Sequence, residues 1–148
     1  MLSSRLVHLV EDHWESIASA VIQSIHADPA LHHLKQLPEA ELRDWGKRIL
    51  KNFGDCLTDN GQELGHYYEE VGRRRCRELI PLHEAVRALH LLKEKICAYA
   101  RDQGFRNSLE VYAEEELEHR VGDFFDTLVY HLVKGYETEM RRAAHAAA

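Results

Sequence analysis

Residues 107–142 read NSLEVYAEEELEHRVGDFFDTLVYHLVKGYETEMRR, without a proline anywhere. Leu117, Val121, Phe124 and Leu128 recur in it at steps of three and four, which places them on one face of a helix. Asn107 suits the N-cap, and Glu110 three residues on completes a capping-box-like pair, with Asn where Ser or Thr is usual. At 1.5 Å per residue such a helix is on the order of 50 Å long, whereas one of about 20 residues spans about 30 Å. The last helix therefore outreaches any partner the remaining sequence offers.

Working backwards, Pro81 opens a helix whose inner stripe is Leu82, Ala85, Val86, Leu89, Leu92, Ile96 and Ala100, with Gly104 available as a left-handed cap. A weaker helix runs from Gln62 to about Glu78 with Leu64, Tyr68 and Val71 inward, after the turn signal Asn60-Gly61. Pro38 suits the first position of another helix, striped by Leu42, Trp45, Ile49, Phe53 and Leu57. Residues 30–37 read as a linker with one helical turn. The first helix runs from about Ser4 to His26 along Leu6, Val10, Trp14, Ile17, Val21 and Ile25, and stops because Pro29 biases Asp28 out of the helical region. No strand pattern and no internal repeat interrupts these stretches. The reading is a single all-α domain over residues 1–148, an up-and-down or globin-like bundle of about five helices with a long C-terminal helix.

The totals agree. With 148 residues, 45% of them hydrophobic and 30% charged, the chain has a globular composition, and eight Gly and three Pro leave little material for turns. A chain of this length buries roughly 70% of its unfolded surface, enough for a core without staples. The formal net charge of −6 argues against a general nucleic-acid binder. No apolar run approaches the roughly 18 residues of a membrane span, and Met1 to Arg5 does not begin a signal peptide. Three distant cysteines, Cys56, Cys76 and Cys97, read as reduced thiols, hence a cytoplasmic location.

Eleven histidines raise the question of a metal. Glu63-x-x-His66 and Glu116-x-x-His119 match the Glu-x-x-His unit of di-iron bundles, but helical phase turns both pairs away from the apolar stripes, so no metal site is assigned. His13 and His131 differ, because both fall at the edge of a stripe. They are candidate ligand-binding residues for haem or a small anion, or partly buried histidines bonded to a neighbour. Arg73, Arg74, Arg75 and Arg77 form a basic run, with Arg73 and Arg74 candidates for a phosphate or acidic partner. The competing reading pairs that run with the acidic run Glu114-Glu115-Glu116-x-Glu118. No nucleophile elbow and no glycine-rich nucleotide loop is present, so the chain reads as a non-enzyme.

The stretch Gly72-Arg73-Arg74-Arg75 … Glu78-Leu79-Ile80-Pro81-Leu82-His83-Glu84 … Ala88-Leu89 … Leu92 resembles the N-terminal input domains of RsbRD-type RsbT co-antagonists. Related domains also precede bacterial sensor histidine kinases. The shared pattern is an Arg-bearing helix, a short break, Pro-Leu-x-Glu and an amphipathic helix. The Trp14 helix before it and the Phe124-Phe125 helix after it extend the likeness over most of the chain. Ile80 departs from the pattern, which has a small residue, often Gly, before the proline. The family carries no catalytic residues to transfer. The resemblance implies a helical, dimeric signal-input module of a stressosome or two-component pathway, acting on a downstream domain or protein partner.

These readings converge on a non-catalytic sensor domain that relays a signal through its C-terminal helix and needs no cofactor; the alternative is a haem- or di-metal-binding bundle. A homodimer is expected through Val129, Val133, Tyr136 and Met140, which extend a second apolar face along the last helix. Two glycines interrupt that helix. Gly122, level with Val121 and Phe125, is assigned to close helix packing, and Gly135 to a soft output joint where the helix leaves the bundle.

Overall fold

The computed structural model describes residues 4–59, 61–103 and 108–147. The elements are helices α1 (Ser4–Asp12), α2 (Trp14–Ala27), α3 (Glu39–Leu50), α4 (Phe53–Thr58), α5 (Gln62–Arg77), α6 (Leu82–Asp102) and α7 (Ser108–Ala147). Two 3-10 turns, Pro29–Leu31 and Leu34–Gln36, join α2 to α3, and no strand occurs among the described residues. The chain is an all-α bundle with a long final helix.

Two of the expected helices are each divided. The first bends at His13, whose backbone sits at φ −110°. The ladder still crosses the bend, because His13 N–H donates to Leu9 O and Ile17 N–H to His13 O. The second divides at Lys51-Asn52, and α4 then turns Phe53 and Leu57 into the core. Pro38 stands one residue before α3 rather than inside it. Asn60, Gly104 and Asn107 lie outside the described residues, as does the side chain of Glu110.

The residues between helices explain the stops. Asp28 is extended, and its carboxylate accepts the Ala30 N–H at 2.9 Å. Gly61, at φ 77°, turns the chain into α5 while Asp59 accepts the N–H groups of Gly61 and Glu63. After α5 the Ile80 N–H donates to Arg75 O and the Leu79 N–H to Cys76 O. This is a Schellman closure with Leu79, at φ 62°, in the left-handed position that glycine usually takes. The residue before Pro81 therefore need not be small: the strained position is Leu79, and Ile80 is buried as the apolar partner of the motif.

The core is one cluster running from Leu6 to Tyr136, with Phe53, Tyr68, Phe124 and Phe125 as its largest fully buried members. α7 crosses the whole body. With 40 residues it extends about 60 Å at 1.5 Å per residue, against 21 residues for α6. Its buried positions, from Leu117 to Glu139, pack chiefly on α5 and α6.

Candidate functional site

The helix that outreaches the bundle is held by a seam along α5. A Cβ on Gly72 would lie 2.4 Å from the Leu132 carbonyl oxygen, and a Cβ on Gly135 would lie 2.2 Å from the Glu69 carbonyl oxygen. The two backbones thus touch, and only glycine permits it. Two turns before Gly72 and one before Gly135, the His131 ring lies against Gly65, where a Cβ would be 2.5 Å from Nε2. The other ring nitrogen, Nδ1, is 2.7 Å from the Glu69 carboxylate, with Lys134 Nζ 4.0 Å from the same group.

The seam closes with two buried polar contacts. The Tyr136 O–H donates to the Ile80 carbonyl at 2.9 Å, and burial pushes that phenol's pKa up, so it remains a donor. Glu139, 4% exposed, accepts from Arg77 Nη1 at 3.2 Å and from Arg142 Nε at 3.0 Å and Nη2 at 2.5 Å. The Arg142 hydrogen bond, then Arg77, holds its carboxyl below the usual carboxylate range. Every residue from Met140 to Ala147 is exposed. The helix is therefore clamped up to Glu139 and free beyond it.

A second carboxylate organises the start of α6. Glu84, in the first turn after Pro81, is 2% exposed. Its Oε1 accepts the backbone N–H groups of His33 and Leu34, each at 3.0 Å, and its Oε2 is 2.7 Å from His33 Nδ1. Burial alone would raise its pKa, but the Leu34 N–H and the His33 contacts outweigh it and lower it. The Glu of Pro81-Leu82-His83-Glu84 thus straps the α2–α3 linker to the start of α6.

The other anticipated residues are dispersed. His13 is exposed, its ring 5.6 Å from that of Tyr99 and its Nδ1 at 3.0 Å from Leu9 O, remote in the fold from the α5–α7 seam that holds His131. Arg73 reaches Glu70 at 3.6 Å and Arg74 reaches Glu41 at 3.8 Å, both near the surface. Arg75 is buried between Glu41 and Glu78, at 2.7 and 2.9 Å, and Arg77 joins Glu70 and Glu139. The basic run is therefore neutralised locally, by α3, by α5 itself and the turn after it, and by the end of α7. From the acidic run, Glu118 pairs with Arg101 instead. Glu63, His66 and His119 face solvent, and among the described residues no cluster of three potential ligands could hold a metal ion. Cys56 is buried, and burial followed by Asp59, Asp55, Glu63 and Glu11 pushes its thiol up to about 11, too high for a nucleophile at neutral pH.

Along α7, Val129 and Val133 are half-buried and Met140 is 57% exposed. Tyr136 corrects the expected outer stripe: it is 3% exposed and belongs to the core, because its hydroxyl finds the Ile80 carbonyl. The glycines exchange roles. Nothing lies within 4 Å of a Cβ on Gly122, while Gly135 makes the close approach. The helix also stays packed past Gly135, at Tyr136 and Glu139, so it leaves the bundle one turn later than expected. Sequence reasoning passed over Glu139 and Leu79 as functional positions, and quoted Glu84 in the Pro-Leu-x-Glu pattern without assigning it a partner. For Glu84 and Leu79 the available hint was a place at a helix boundary, a common pattern with no partner attached; Glu139 lies inside α7 and offered none.

The family described as the RsbT co-antagonist protein rsbRD N-terminal domain matches residues 15–148. Searches of curated proteins and of solved structures give no match.

Proposed function

The chain belongs to the family of RsbT co-antagonist rsbRD N-terminal domains, and from that premise we propose that it is a cytoplasmic, non-catalytic input domain of a bacterial stress-response regulator that relays its signal through α7. The observation that carries this reading is the asymmetry of α7. It is fused to α5 by backbone contact at Gly72 and Gly135, clamped at Glu139, and exposed from Met140 to Ala147. A change in how the body packs on α5 moves such a helix as one rod, since packed helices shift between discrete arrangements rather than bend. The free end carries that shift outward to a downstream domain or partner. Two copies pair through Val129, Val133 and Met140, two half-buried valines and an exposed methionine on α7.

No prosthetic group enters this reading. Supporting that, Nδ1 of His131 is held by Glu69 at 2.7 Å and the ring lies against Gly65. His13 stands elsewhere, on the surface.

Helical phase tests the relay. Residues inserted between Ala143 and Ala144 rotate everything beyond them by about 100° each, at 3.6 residues per turn. In the intact regulator, an insertion of four residues should leave the stress-reporter response near normal. An insertion of two, about half a turn, should abolish or invert it. Equal responses to both insertions would sink the relay through α7, and sedimentation showing only monomer would sink the pairing.

A further inference from the structure

Beneath the second 3-10 turn, where α3, α5, α6 and α7 meet, the side chains leave about 20 Å³ open to the centre of a water molecule. Leu34 covers it from the linker, and Ala85 and Ala88 of α6 wall it with short side chains. Three polar residues also line it: Trp45, Tyr68 and Arg75.

Their hydrogen bonds do not close among themselves. Tyr68 is 1% exposed, and its oxygen accepts the Trp45 Nε1–H. Its own O–H proton has no acceptor among the described residues. Burial pushes the phenol's pKa up, so the proton stays and remains a donor. Arg75 is 4% exposed and uses Nη1 for both of its carboxylates, Glu41 and Glu78. Its Nε and Nη2 have no acceptor among the described residues, and neither is a fully buried atom. A buried hydroxyl proton such as that of Tyr68 is costly to leave without an acceptor, and buried water is the usual remedy in native proteins. The space exceeds the roughly 10–15 Å³ that one water needs and falls short of a larger guest.

We propose that this cavity is a binding site for one small hydrogen-bond-accepting molecule, water, which accepts from the Tyr68 hydroxyl and the Arg75 guanidinium. Donors alone converge on it, so the occupant is selected as an acceptor, and its size is set by Ala85 and Ala88. The water completes a polar link from Trp45 on α3 through Tyr68 to Arg75 on α5, inside an otherwise apolar junction. That link gives Tyr68 and Arg75 a reason to be in the core at all.

A crystal structure of the protein at a resolution that shows ordered waters tests the site. The expected result is a fully occupied water at hydrogen-bonding distance from Tyr68 Oη. In solution, the Trp45 Hε1 and Tyr68 hydroxyl protons should cross-relax with a long-lived water. An empty cavity, or the absence of that cross-relaxation, would overturn the proposal.

Discussion

Replacing Gly135 by alanine and, separately, Gly122 by alanine should move stability in opposite directions, although both glycines sit inside the same helix. Helix propensity favours either substitution by roughly 1 kcal/mol. At Gly122 nothing stands within 4 Å of the new methyl, so that gain is kept. At Gly135 the methyl would be 2.2 Å from the Glu69 carbonyl oxygen, 3.0 Å from its carbon and 3.1 Å from Arg73 N. All three obstacles are backbone in the interior of α5, and no side chain can swing aside. The helices must separate by about an ångström to restore ordinary carbon–oxygen contact. Overpacking of this kind costs about 1–3 kcal/mol or more, and a backbone-to-backbone clash belongs at the upper end. Net of propensity, Gly135→Ala should lose about 2 kcal/mol. For a chain of this size, each kcal/mol shifts Tm by about 2–4 °C. Thermal melts followed by circular dichroism should therefore show Gly122→Ala raised by a few degrees and Gly135→Ala lowered by about 4–8 °C. A Gly135→Ala variant as stable as Gly122→Ala would refute the seam, since α5 and α7 could then not be in backbone contact.

Two further predictions rest on single positions. Glu84→Gln keeps the shape but weakens an acceptor of three hydrogen bonds, and should cost about 1–3 kcal/mol; because folding lowers the Glu84 pKa, its contribution is full above the ordinary glutamate value of about 4.3 and fades as pH falls below it, so wild type should lose its advantage over the variant in acid urea titrations, and a constant difference down to the acid transition would contradict the assignment. Leu79→Gly relieves a left-handed conformation at a side chain that is 80% exposed, and should raise the urea midpoint by about 1 kcal/mol of stability; an unchanged or lower midpoint would show that Leu79 packs on something in solution.

How far the sequence could be read depends on whether a feature is local. The apolar steps of three and four through Trp45, Tyr68, Leu92 and Phe124 placed those residues correctly inside, because periodicity records burial directly. Proline positions marked the starts of α3 and α6 within a residue. The bends at His13 and Asn52 left no such mark, since the ladder or the core continues across them. The candidate site was less legible. His131 and Tyr136 stood out on α7, but their partners, Glu69 and the Ile80 carbonyl, are 62 and 56 residues away in sequence. Nothing local marks Glu139 and Glu84 as buried, and only the approach of Arg77, Arg142 and the linker N–H groups makes their burial tolerable.

By itself, the sequence determined an all-helical chain, the inward face of each helix and the excess length of the last, because helical period, proline and composition act within a few residues. The tertiary structure alone decided which glycine is the contact and which is idle, where α7 comes free of the body, and that Leu79 carries the strained turn. Those outcomes depend on the distance between two backbones, and an isolated glycine or leucine has the same local signature whether a second helix lies against it or open space does.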